Sequence, residues 1–243
     1  MSVGAAGLFF LVFFGLLIPL LAYRARNRLL EIQPPPTRAR LYVSTIVQLG
    51  LFLFLAVLTA RTESVPLWRE PRHWAIPALV TLALLAVMLV ATRPIKRAAV
   101  ERRDPRVYFT MPANRREMAL WIGLSLMAGL AEETAYRGVF SDLALRLTGS
   151  VWLAWSGAVL AFTIAHANQG MRSMAVIATF AIVAHVLVYF SGTLLFAIVL
   201  HAVYDVLAGF EYVRLGRQLG YPQRLPDAAA APDVTVPPAA SSP

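Results

Sequence analysis

The 243-residue chain contains no cysteine, and only 14% of its residues are charged. Without thiols there can be no disulfide framework, thiolate metal site, cysteine nucleophile or S-palmitoylation. The shortage of charge excludes more. A soluble domain carries about 25% charged residues, so this chain has too few polar side chains to cover a water-facing surface. What it has instead is 58% hydrophobic residues and a mean hydropathy of +0.64. These residues run in uninterrupted blocks, without the periodicity of a surface helix. The expected fold is all-α: a polytopic transmembrane helix bundle.

A bilayer-spanning helix needs about 20 mostly apolar residues. Stretches that meet this run from Val3 to Tyr23 (with Pro19 kinking its end), Leu41 to Ala60 and His73 to Thr92. A long fourth stretch from Met118 to Leu147 is interrupted by Glu132, Glu133 and Arg137. Val151 to Ala167, Met174 to Phe190 and Thr193 to Tyr212 follow. This gives seven spans, or eight if the fourth stretch breaks in two. No basic residue precedes the first block and no small-x-small site follows it before Arg24, so it reads as a retained helix and not a cleaved signal.

The net charge of +9 raises nucleic-acid binding, and the distribution of the charge argues against it. Five arginines lie between spans one and two, eight basic residues between spans three and four, and Arg172, Arg214, Arg217 and Arg224 fall on the same side. That side holds seventeen of the 22 basic residues; the other has Arg61, Arg69 and Arg72. Basic loops stay cytoplasmic, so the expected topology has the N-terminus outside and the C-terminus cytoplasmic, in a plasma membrane of bacterial type. The basic loops are expected to meet anionic lipid headgroups, not nucleic acid. Three prolines within Gln33 to Thr37 read as a stiff linker. The expected domain plan is an N-terminal three-span region over residues 1–116, a core over 117–215 and a disordered tail over 216–243 rich in Ala, Pro and Ser.

Against this background, Glu132, Glu133, Arg137, His166, His185, His201 and Asp205 stand where lipid excludes them. An ionisable group at membrane depth costs about 2.5–3.5 kcal/mol on insertion scales, so such residues pair or line a wet cavity. Glu133 and Arg137 are four residues apart and share a helix face, as do His201 and Asp205. Glu132 lies about 100° round the helix from Glu133, leaving it free for proton chemistry, while Asp205 is placed to accept from His201 or help hold a metal. Gly129, with Ala128, Ala131 and Ala135, permits close approach of a neighbouring helix. His185 reads as a packing histidine, and the five tryptophans as an interfacial belt. An HExxH helix, a GxSG serine context, a GxGD motif and a phosphate-binding glycine loop are all absent.

Three motifs remain, each on its own apolar helix and in this order: Glu132-Glu133-Thr134-Ala135-Tyr136-Arg137, Phe162-Thr163-Ile164-Ala165-His166, and His201-Ala202-Val203-Tyr204-Asp205. The set, E-E-x-x-x-R, F-x-x-x-H and H-x-x-x-N/D, resembles the CPBP family of intramembrane endopeptidases, which includes CAAX prenyl proteases and the bacteriocin-processing Abi group. The resemblance covers roughly Glu117 to Gly209. It implies hydrolysis of a peptide bond in a membrane-associated protein or peptide. Glu132 and His166 would activate water and His201 would stabilise the oxyanion, with Glu133, Arg137 and Asp205 completing the site. Asp205 stands where prenyl-protein members often carry asparagine; an ionised aspartate repels an oxyanion, so it orients His201, stays protonated or ligates a metal. The resemblance leaves open a metal-free glutamate mechanism, the preferred reading, or a divalent metal such as zinc. Two other functions stay open: a non-catalytic immunity or scaffold protein, and a proton-coupled transporter, which the lack of an inverted repeat disfavours.

Overall fold

A computed structural model of the chain describes residues 2–32 and 35–222. The expected tail beyond 222, with Arg224, and Gln33 and Pro34 of the proline linker lie outside the described residues. Among these residues the regular structure is entirely helical. Seven long helices organise it: α1 Ala5–Arg24, α2 Arg38–Thr62, α3 Ala75–Glu101, α4 over residues 115–148, α5 Val151–Ala165, α6 Met171–Ser191 and α7 Leu195–Gln218. Five of them, α1, α2, α3, α6 and α7, are long and apolar enough to cross a membrane. Short helices at Arg28–Glu31 and Arg106–Thr110 sit in the two long basic loops.

The ends are written in local chemistry. Thr37, Asn114 and Ser150 each accept a backbone N–H from the first turn of α2, α4 and α5, satisfying donors that a helix start leaves orphaned. At α4 the cap is reciprocal: Asn114 Oδ1 accepts from Glu117 N at 2.9 Å while Glu117 Oε2 accepts from Ala113 N at 2.7 Å. Helix α1 starts against a carboxylate from the next connection, Glu63, which takes the N–H groups of Gly4 and Gly7 at 3.0 and 2.8 Å. Helices α4 and α6 stop at Gly149 and Gly192, both in the left-handed conformation that a side chain resists.

Two helices contain π-helical turns. In α1 the turn covers Phe13–Leu17, just ahead of Pro19. Pro19 has no N–H and its ring crowds the carbonyl four residues back, so the backbone widens there. The expected kink is thus taken up before the proline. In α4 the π-helical turn covers Glu133–Phe140, and the helix runs on without interruption into Ser141–Thr148. The fourth stretch is one continuous helix and does not break into two, the case that would add an eighth span. Ser141 donates its hydroxyl to Tyr136 O at 2.7 Å, the carbonyl five residues back that also accepts its backbone N–H in the widened ladder.

The core joins α1, α4, α5, α6 and α7 around Phe10, Phe14, Tyr136, Phe162, Phe180 and Leu200. Tyr136 lies edge-on to Phe14 and Phe162, with ring centroids 5.7 and 5.1 Å apart. Helix α7 closes on α4 at Gly129, where an added Cβ would lie 2.9 Å from Ile198 O and 3.0 Å from Ala202 N. Both obstacles are backbone, so they cannot rotate away. Gly129→Ala should therefore destabilise the protein by about 1–3 kcal/mol, the usual cost of overpacking. Gly123→Ala on the same helix, with only Ile46 Cδ1 at 3.8 Å, should be neutral or slightly stabilising. Thermal unfolding in detergent compares the two; equal effects would refute the close-approach role of Gly129.

Candidate active site

The unusual composition of α4 places two adjacent carboxylates where α5 and α7 meet it. Glu133 is fully buried. Its Oε1 accepts from Arg137 Nη1 at 3.1 Å and from His201 Nδ1 at 2.8 Å. Glu132 Oε2 lies 3.5 Å from His166 Nε2 and 3.8 Å from His201 Nε2, and that oxygen has no hydrogen-bond partner among the described residues. The two carboxylates thus address opposite nitrogens of one imidazole. Simple helical geometry expects Glu132 and Glu133 to diverge; the π-helical turn that begins at Glu133 changes the rotation per residue there.

Each histidine is oriented by what its Nδ1 meets. His166 caps α5 and its Nδ1 lies 2.8 Å from Phe162 O. A carbonyl only accepts, so the proton sits on Nδ1 and Nε2 faces Glu132. Phe162, four residues back, also stacks its ring 4.5 Å from that of His166, so the F-x-x-x-H spacing fixes the imidazole twice. His201 gives its Nδ1 proton to Glu133 and turns Nε2 towards Glu132. Phe180 on α6 packs on its face at 4.8 Å.

Arg137 is the counter-charge of the cluster. Its side chain is excluded from solvent, and its guanidinium lies over the ring of Phe162 at 4.3 Å and nearer the edge of contact with Phe180 at 5.6 Å. A guanidinium is less strongly hydrated than an ammonium and tolerates such aromatic packing. One ion pair, Glu133 with Arg137, is therefore buried wholly in protein.

Asp205 differs from the sequence expectation. Its Oδ2 is 3.6 Å from His201 Nε2, beyond hydrogen-bond length. The proton of His201 Nδ1 goes to Glu133 instead, because Asp205 projects from the same helix one turn on and reaches only the far nitrogen. With its side chain one-third exposed, Asp205 is the wettest group of the cluster. Trp121, read from the sequence as one of an interfacial belt, also makes contacts inside the bundle. Its indole N–H donates to Asp205 O at 3.0 Å and its ring fills the space over Gly209, locking α4 to α7 below the site. Neither this role of Trp121 nor the packing of Phe180 on His201 has a signal in the sequence, since both are contacts between helices. His185 is a satisfied packing residue as expected, with Nδ1 2.8 Å from Ala181 O and Nε2 3.0 Å from Ser141 Oγ.

Two histidines and three carboxylates are suitable in kind for zinc, which prefers three or four such donors at about 2.0–2.2 Å from one point. Among the described residues, however, no group of three or more His, Cys, Asp or Glu side chains is arranged to hold a metal ion. Glu133 is already committed to His201 and Arg137.

No curated protein and no solved structure is matched by the chain. A family model, the type II CAAX prenyl endopeptidase Rce1-like family, matches residues 114–207. The match begins at the cap of α4 and ends beyond Asp205, so it contains all six residues that converge here. Residues 114–207 of this multi-pass membrane chain are thus similar to the type II CAAX prenyl endopeptidase Rce1-like family.

Proposed function

We propose that the chain is an intramembrane endopeptidase that hydrolyses a peptide bond of a membrane-associated protein or peptide, using water activated by Glu132 and His166. The observation that carries this reading is the unpartnered Glu132 Oε2, held 3.5 Å from His166 Nε2 and 3.8 Å from His201 Nε2. A water placed between Glu132 and His166 loses its proton to the Glu132 carboxylate as its oxygen attacks the scissile carbonyl. The resulting oxyanion is received by a proton on His201 Nε2. Since Nδ1 of the same ring donates to Glu133, His201 acts as an imidazolium, balanced by Glu133 and in turn by Arg137. Asp205, beside Nε2, adds negative charge that holds the imidazolium before substrate enters. Glu132 then delivers its proton to the leaving nitrogen as the C–N bond breaks, giving an acid and an amine and restoring the carboxylate.

No step in this scheme passes through a metal, and we propose none is needed. A peptide tethered to a lipid vesicle should be cut by the purified protein. His166→Ala should lower the rate at least about 100-fold, in the range of a lost general acid–base partner, with the unfolding temperature preserved. A chelator should change the rate less than twofold. Full activity of His166→Ala sinks the reading; loss of activity on chelation, restored by zinc, replaces it with a metal mechanism.

The proposed topology has seven spans, the N-terminus outside and the C-terminus cytoplasmic, in a bacterial plasma membrane. It counts α4 and α5 with the five longer helices, and rests on the basic residues gathered at the ends of α1, α3 and α7. The proposed division keeps the three-span region 1–116 apart from the core 117–215 and the tail 216–243. Substrate peptide and anionic lipid are the proposed partners, and nucleic acid is not.

A further inference from the structure

At the end of the bundle away from His166, the α2–α3 connection covers a cavity of about 330 Å³. Its floor is set by α4 and α6, including Arg137, Ser141 and His185, so it backs onto the buried Glu133–Arg137 pair, and its walls carry Trp155 and Tyr189. Arg69 and Arg72 stand at its rim. Trp155 lies in the second turn of α5 and His166 caps its far end, so the aromatic wall stands eleven residue steps, about 16 Å, from His166.

The two arginines are not accounted for by topology. The basic residues that orient the chain lie on the other side; of Arg61, Arg69, Arg72 and Arg146 on this side, Arg69 and Arg72 line this one cavity. Nor are they accounted for by pairing. Among the described residues no ion pair involves either side chain, whereas Arg146 nearby is bound to Asp142 at 2.6 Å. Asp142, the one carboxylate lining the cavity, is thereby neutralised. Arg72 is also held in place: its backbone N–H donates to Ser191 O at 3.0 Å, and its side chain lies across Gly192, whose Cβ would fall 3.1 Å from Nε. A rim of two guanidinium groups in no ion pair among the described residues, one of them held in place, suits a phosphate, which takes their forked N–H donors. Next to it, Trp155 and the largely exposed Tyr189 give an apolar, aromatic surface of the kind that meets acyl chains at a membrane interface.

We propose that this cavity binds a phosphate group, as borne by the headgroup of an anionic phospholipid, between Arg69 and Arg72. The site is independent of the endopeptidase reading. The test uses the full chain in mild detergent, titrated in turn with phosphatidylglycerol, phosphatidylcholine and inorganic phosphate while the unfolding temperature is followed. Phosphatidylglycerol should raise that temperature saturably, and Arg69→Gln/Arg72→Gln should weaken the apparent Kd at least about tenfold, the loss expected for even one charge-assisted contact. Arg61→Gln, at a basic residue on this side that does not line the cavity, should leave the titration unchanged. A response to phosphatidylglycerol alone assigns the site to lipid; an equal response to inorganic phosphate assigns it to the free anion through the same arginines. No response, or one that survives in the double variant, overturns the proposal. If the double variant does not fold, Arg69→Gln alone decides by the same criterion, since the Arg69 side chain is exposed and makes no hydrogen bond among the described residues. Cleavage of the tethered peptide should be equal in parent and variants.

Discussion

Glu132→Gln is expected to reduce turnover of a membrane-tethered peptide by about 10²–10⁴-fold, the contribution of a positioned general base. The amide keeps the volume and planarity of the carboxylate, and Glu132 accepts no hydrogen bond whose loss would unfold the helix. Its effect should therefore appear in kcat, with KM and the unfolding temperature almost unchanged. The neighbouring carboxylate cannot replace it. Glu133 Oε1 is engaged by both His201 and Arg137, and its residue is sealed from solvent. Activity within tenfold of the parent would remove Glu132 from the chemistry and leave the cluster with a structural or binding role.

Arg137→Met is expected to have the largest effect on stability. Breaking a buried ion pair by removing one partner costs about 3–5 kcal/mol, because the other charge stays behind without compensation. Here the residual charge would be Glu133, with only His201 to offset it. The double variant Glu133→Gln/Arg137→Met should recover more than half of that loss, since a buried pair replaced as a unit is close to neutral. It should nevertheless remain inactive, because His201 loses the carboxylate that holds its Nδ1 proton. Denaturant unfolding in detergent, read beside the peptide assay, separates these two consequences. A loss below about 1 kcal/mol in the single variant would mean that water reaches Glu133 once the arginine is gone.

The site was largely legible in the sequence because lipid makes charge conspicuous. Glu132, Glu133, Arg137, His201 and Asp205 each interrupt an apolar block, and none of those interruptions is tolerated without a partner. The spacing of Glu133 and Arg137 told their pairing correctly even though the intervening turn is π-helical. Other features were not legible. Nothing in Glu133–Phe140 announces a widened turn, and only that turn brings both carboxylates to one imidazole. The partner of His201 was sought on its own helix, at Asp205, because sequence spacing describes neighbours along a helix and not across one. Gly129 was recognised as a close-approach residue; that the approaching backbone is α7 at Ile198 and Ala202 required the fold. Helix ends moved by a few residues, most of all at α3, which extends to Glu101 since Pro94 is accommodated inside it.

The length of α5 carries a consequence for the bilayer itself. Fifteen residues rise about 22 Å, against about 30 Å of hydrocarbon. Trp152, Leu153 and Leu160 leave one side of this helix open to its surroundings, so in the proposed seven-span topology lipid beside it thins to match. Water then approaches the terminus at His166 through a shallower barrier than elsewhere around the bundle. A hydrolytic reaction in a membrane needs its second substrate, water, as much as its first, and a helix about five residues too short supplies a route for it without a pore.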